Sequence, residues 1–264
     1  MNGLPIEAPI DYLPIWGVFV ATVLITLLAV EGGFRLAQYR RKGTEAEKEA
    51  AVGAMVGATL GLLGFVLAFT FGWAATRFDA RRQALLEESN AIGTTYLRAD
   101  MLPEPYRTNI RGELRDYVDV RLRGADPART EQALVRSEQL HGLLWEQTVA
   151  LGREDARSVV AGLFIQSLNE VIDVHAKRAL LLRTRIPATI WFALYFVAII
   201  AMASMGYHDG MHDNRRSLAL LALVLTFSAV MLLIADLDRP HEGLLRVSQQ
   251  SMIDLQKSMQ PANP

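Results

Sequence analysis

Residues 52–75 read VGAMVGATLGLLGFVLAFTFGWAA, a run of 24 residues without a charge. A helix needs about 20 apolar residues to cross a bilayer core. A charge at its centre costs about 2.5–3.5 kcal/mol on insertion scales. The run therefore predicts a membrane-crossing helix. At 100° per residue, Gly53, Gly57, Gly61, Gly64, Ala68, Gly72 and Ala75 share one arc. Leu62, Val66, Phe69 and Trp73 fall on the opposite side, with Phe65 between the two. Small residues at four-residue spacing let helix backbones approach in lipid. Repeated around an axis, the same helix would present an apolar throat, and an apolar constriction gates ions by dewetting. The pattern admits both a packing face and a throat.

Three further apolar runs, at 13–30, 186–206 and 217–235, are long enough to cross. Short polar connections at 35–51 and 207–216 pair the four runs into two antiparallel hairpins. The expected fold is all-α: four transmembrane helices in two hairpins, with a helical soluble domain inserted between helices 2 and 3. The expected division is a first hairpin over 1–76 (helices about 13–30 and 52–75), a soluble domain over 77–185, a second hairpin over 186–237 and a C-terminal tail over 238–264. Glu7 and Asp11 precede the first apolar run and no Lys or Arg does, so a retained helix is expected there and not a cleaved signal.

The central region lacks any alternating strand pattern. Residues 77–98 continue the second membrane helix until Leu102-Pro103-Glu104-Pro105 breaks it. Ile110, Leu114, Tyr117, Val118 and Leu122 form a helical stripe. Asp126-Pro127 is a cap followed by a first-turn proline, opening a helix whose stripe includes Leu134, Leu140, Leu144 and Val149. A last helix, at about 154–184, runs through Val160, Leu163, Phe164, Leu168, Val171 and Ile172 towards the third membrane helix.

The formal net charge of the 264 residues is −1, unlike the basic surface of a nucleic-acid binder. With no cysteine, disulfides, thiolate zinc sites and thiol catalysis are excluded. Near the membrane ends, Lys and Arg number nine on the side of the termini and central domain and seven on the loop side. That excess puts the termini and soluble domain in the cytoplasm of a multi-pass inner-membrane protein. No Ser-His-Asp order, phosphate loop, HExxH or paired-carboxylate motif is visible, so no enzyme activity, cofactor or resident metal is expected. His208-Asp209 and His212-Asp213 have i, i+4 spacing but read as a solvated loop, and His175, on one helix with Glu170, Asp173 and Lys177, reads as part of a solvated or paired face. Arg77, Arg81 and Arg82 leave the membrane together, as a ring of positive charge at a pore mouth or as anchors to lipid headgroups. Asp236 and Asp238 could draw cations or cap a turn with Arg239 and Pro240.

Phe65-Val66-Leu67-Ala68-Phe69, followed by Thr76-Arg77-Phe78 and Ala80-Arg81-Arg82, resembles the end of the pore-lining second helix of bestrophin channels. There a Phe-x-x-Gly-Phe segment precedes Arg and aromatic residues by eight positions, the interval between Phe69 and Arg77. Leu237-Asp238-Arg239-Pro240-His241-Glu242-Gly243 resembles the turn after the last bestrophin membrane helix. Closest in motif is the bestrophin-like family of bacterial membrane proteins. The resemblance implies a homo-oligomer, a pentamer, conducting monovalent ions through an apolar neck of Phe65 and Phe69. Where bestrophins carry a third bulky neck residue this chain has Gly61, which widens the neck or moves the ring to Leu62. The acidic calcium clasp of animal members has no counterpart after Pro240. The implied partners are further copies of the chain, membrane lipid and monovalent ions. The alternative is a membrane-anchored sensor or scaffold whose soluble domain binds a ligand or protein without conduction.

Overall fold

The computed structural model describes residues 12–40, 46–211, 218–240 and 243–260. All regular structure among them is helical: α1 (Ile15–Arg40), α2 (Ala46–Ala99), α3 (Tyr106–Arg123), α4 (Thr130–Glu154), α5 (Val159–Arg183), α6 (Ala188–Met211), α7 (Leu218–Asp238) and α8 (Gln250–Ser258), with one 3₁₀ turn at Pro127–Arg129. Four of these helices are long and apolar enough to cross a membrane. The chain forms two compact units, one of residues 1–77, 185–239 and 243–245, the other of 78–184, 240–242 and 246–264.

In the membrane unit, α1 packs mainly on α6 and secondarily on α7. The buried face of α1 is Val18, Thr22, Thr26, Val30, Gly33 and Ala37, a near-regular four-residue repeat of small side chains. It lies against α6 so closely that a Cβ on Gly33 would strike the Ala203 carbonyl, and one on Gly206 the Val30 backbone. Backbone approach of this kind is what holds helices together where no water drives them. Thr22 and Thr26 donate to the carbonyls of Val18 and Thr22 at 2.7 and 2.8 Å, and Thr22 also bonds the Tyr195 hydroxyl at 2.7 Å. Their hydroxyls are thus satisfied without water.

The membrane helices outrun the apolar segments that announce them. α1 extends ten residues past Val30, through an i, i+4 pair of Arg35 with Glu31 at 2.8 Å, and α6 reaches Met211. Backbone hydrogen bonding favours continuing a helix beyond the bilayer core even where its side chains turn polar.

The second unit surrounds a core of Ile92, Ile110, Leu114, Tyr117, Val118, Leu140, Leu144, Phe164, Leu168 and Val171, with Met252 and Met259 of the C-terminal segment. Local signals set its helix starts. Asp126 accepts from Ala128 N at 3.1 Å ahead of Pro127, and Ser158 accepts from Ala161 N at 3.2 Å. α8 is fastened to α2 by Ser89 Oγ donating to Ser251 O at 2.9 Å. Tyr96 likewise donates to Met259 O at 3.1 Å. The expected stripe of α3 is buried from Ile110 to Val118, whereas Val149 of α4 and Leu163 of α5 are exposed.

Candidate functional site

Three arrangements carry the chemistry. The first is the apolar span of α2, whose buried residues are Val56, Leu63, Thr70 and Ala74. At 100° per residue these share one face, and Phe65 and Phe69 point the other way. Phe65 and Phe69 are 70% and 71% exposed, and Leu62 is exposed beside them. A Cβ added to Gly57, Gly61, Gly64 or Gly72 would meet nothing within 4 Å, while Gly53 lies near the His208 ring at 3.5 Å. Ala68 is exposed as well. The glycine arc is therefore open within the protomer, and the closest backbone approach belongs to α1 and α6.

The second arrangement ends α7. Asp236 and Asp238 are 1% and 2% exposed. Asp236 accepts from Leu244 N at 2.7 Å and from Leu245 N at 3.0 Å. Asp238 accepts from Ile186 N at 3.0 Å and pairs with Arg185 at 3.1 Å. Arg239 donates to Leu13 O at 2.6 Å. Gly243 sits at φ +108°, where a side chain would collide with the Asp236 carboxylate. Both aspartates are committed to tying the turn after α7, and neither faces open water.

The third arrangement, centred on Glu88, matches no motif of the sequence. Glu88 is fully buried in the second unit. Arg121 of α3 pairs with it at 2.8 Å, and Arg178 of α5 pairs with its second oxygen. The Tyr117 hydroxyl donates to Glu88 Oε1 at 2.8 Å and lies 3.0 Å from His175 Nδ1. His141 completes the group, its ring 4.8 Å from that of His175. Burial alone pushes the Glu88 carboxyl up; Arg121, Arg178 and the nearby His175 ring override it and hold the group far below the carboxylate range. Burial, then the neighbouring His175, lowers His141 to about 4, and burial with the Glu88 charge raises Tyr117. Of the solvated or paired face expected for His175, the structure gives the paired one: the ring is 4% exposed and meets the Tyr117 hydroxyl. One signal pointed there: Tyr117 on a stripe otherwise aliphatic requires a buried partner for its hydroxyl.

The three arginines after the α2 span have different surroundings. Arg77 stacks over the Trp73 ring at 5.8 Å. Arg81 is buried in the soluble unit, and Arg82 is exposed. Pro240 lines the same pocket as Arg81. His208 falls on α6, whereas His212 and Asp213 lie outside the described residues.

The bestrophin-like domain profile matches residues 19–252. The chain belongs to the bestrophin-like family. Solved structures agree on the fold. A bestrophin homologue from Klebsiella pneumoniae, solved by zinc phasing, is 14% identical over 92% of this chain and 96% of its own, with a TM-score of 0.61. A point variant of the Klebsiella pneumoniae homologue gives 14% identity, 93% and 97% coverage and a TM-score of 0.62. A membrane-protein variant reaches 0.63 at 14% identity, with coverage of 93% and 97%. No curated protein matches the chain. This member of the bestrophin-like family is accordingly an all-helical, multi-pass membrane protein with four membrane helices.

Proposed function

We propose that this bestrophin-like chain is one subunit of a homo-oligomeric ion channel, a pentamer in the inner membrane, with the termini and soluble unit in the cytoplasm. Copies of α2 converge on the axis. Phe65 and Phe69 form the apolar neck with Leu62 or the gap at Gly61. Gly53, Gly57, Gly64, Ala68 and Gly72 let neighbouring helices approach, and Arg77 and Arg82 set the charge below the neck, Arg81 being buried in the second unit. Monovalent ions are the cargo. The observation that carries this reading is the pair of phenylalanines. They stand about 70% exposed in a charge-free span, on the face of α2 turned away from its own packing. Family membership supports it.

Planar-bilayer recordings of purified protein test it. Unit conductance is expected from the wild type, and Phe65→Ala with Phe69→Ala should raise open probability or conductance by removing the dewetting barrier. Absence of conductance from both proteins counts against a channel. A second reading, a membrane-anchored sensor or scaffold, is favoured by the hydrophobic core of the soluble unit itself. Sizing in detergent separates the two, because a monomer has no central path.

A further inference from the structure

The soluble unit also holds a pocket of about 220 Å³ that conduction does not use. Arg81, Arg121, Arg178 and Arg246 line it with Thr130 and Gln249, and no carboxylate is among its described lining residues. The space is several times the roughly 30 Å³ that one water occupies in the liquid. Arg121 and Arg178 are 4% and 8% exposed, while Arg246 stands exposed at the rim.

Charge makes the pocket unusual. A buried guanidinium is tolerated when an anion meets it. Arg121 and Arg178 share a single carboxylate, Glu88, so this buried trio retains one positive charge in excess. Burial draws the Arg178 pKa down despite its contact with Glu88, as expected of a cation that is only partly compensated. Arg178 also donates to Gln249 Oε1 at 3.4 Å, a long bond to a neutral acceptor that leaves the charge standing. Arg121 directs Nε and Nη2 at Glu88 and Arg178 directs Nη1 there, yet both line the pocket with Arg246, and guanidinium donors suit the oxygens of phosphate.

We propose that this pocket binds a phosphate oxyanion, held by Arg121 and Arg178 within and by Arg246 at the rim. The oxyanion is dissolved phosphate or the phosphomonoester headgroup of an anionic lipid, which present the same oxygens. The site is independent of conduction and would stand if the chain formed no pore.

The test is the thermal midpoint of the purified full chain. In detergent, millimolar sodium phosphate is compared with sodium chloride at equal ionic strength. In nanodiscs, phosphatidylcholine alone is compared with phosphatidylcholine containing phosphatidic acid. Phosphate should raise the midpoint above that in chloride. Arg246→Gln, an exposed position that leaves the core intact, should weaken phosphate affinity about tenfold or more. Arg178→Lys, which keeps the charge but loses the fork, should also blunt the response; if it fails to fold, Arg246→Gln decides alone. A response to free phosphate assigns the dissolved ion, and a response to phosphatidic acid alone assigns the headgroup; each sustains the proposal. Equal midpoints in every pair of conditions, or a full response in Arg246→Gln, overturns it.

Discussion

Glu88 is the residue on which most of the soluble unit's buried charge depends. Removing one partner of a buried ion pair strands the other and costs about 3–5 kcal/mol. Glu88→Gln should lower stability by that order, read as a fall in the thermal midpoint, because both Arg121 and Arg178 lose their counter-charge. Its neighbour His141 gives the unit a pH response of definite sign. His141 is held at about 4 against 6.5 for a free ring. Between those values the unfolded chain binds a proton that the folded chain refuses. The contribution is therefore intact above about pH 6.5 and is lost as the pH falls towards 4. From about pH 4.5 downward Glu88, with its depressed carboxyl, adds a second loss in the same direction. The ring faces Tyr117 of α3 and His175 of α5, with Glu88 and Arg121 close enough to act on its charge. The thermal midpoint should fall between pH 7.5 and pH 5, and His141→Gln should flatten that slope. An unchanged slope in the variant would remove His141 as its source. Beyond the Tyr117 hydroxyl on its aliphatic stripe, the sequence carries no trace of this cluster. Glu88, Tyr117, His141 and His175 are far apart in the chain, and no spacing rule connects residues that only tertiary packing brings together.

At the scale of the helix, two adjacent glycines of α1 make a sharp comparison. A methyl group on Gly33 would fall on the Ala203 carbonyl, whereas one on Gly32 meets nothing within 4 Å. Gly33→Ala should destabilise the α1–α6 pair by at least the 1–3 kcal/mol typical of overpacking, because backbone cannot swing aside as a side chain can. Gly32→Ala should be near neutral. Detergent melting of the two variants, side by side, checks both. The crossing helices were legible because uncharged runs of this length have few alternatives. Their contact surface was not. The obvious glycine series lies on α2, while the close approach uses the sparser Gly33, Gly206 and Gly210. The residues of α8 read in the sequence as tail, yet Met252, Leu255 and Met259 carry a helical spacing, and Met252 and Met259 are buried. Its few turns were too short for periodicity to stand out beside membrane spans.

For the whole molecule, orientation is the open geometric question with the cleanest probe. The chain has no cysteine, so any introduced thiol is the sole target. Asp155 and Gln38 are both exposed, at the end of α4 and late in α1. Under the proposed topology, Asp155→Cys should react with a membrane-impermeant maleimide only after the cells are opened. Gln38→Cys should react in intact cells. Reversal of that pattern would invert the topology while leaving the four-helix architecture untouched. The nine-to-seven charge count is a narrow margin because basic residues lie near the membrane ends on both sides. The bestrophin-like assignment is legible from two short motifs, one at the end of the apolar span of α2 and one in the turn after α7.

The unoccupied arc of α2 makes assembly experimentally separable from folding. Gly57, Gly61, Gly64 and Gly72 each have room for a methyl group inside the protomer, and alanine is the better helix former. An alanine scan along this edge should leave each chain as well folded as before, so any change in particle mass would report on contacts between copies alone. Few membrane helices offer such an orthogonal ruler for stoichiometry.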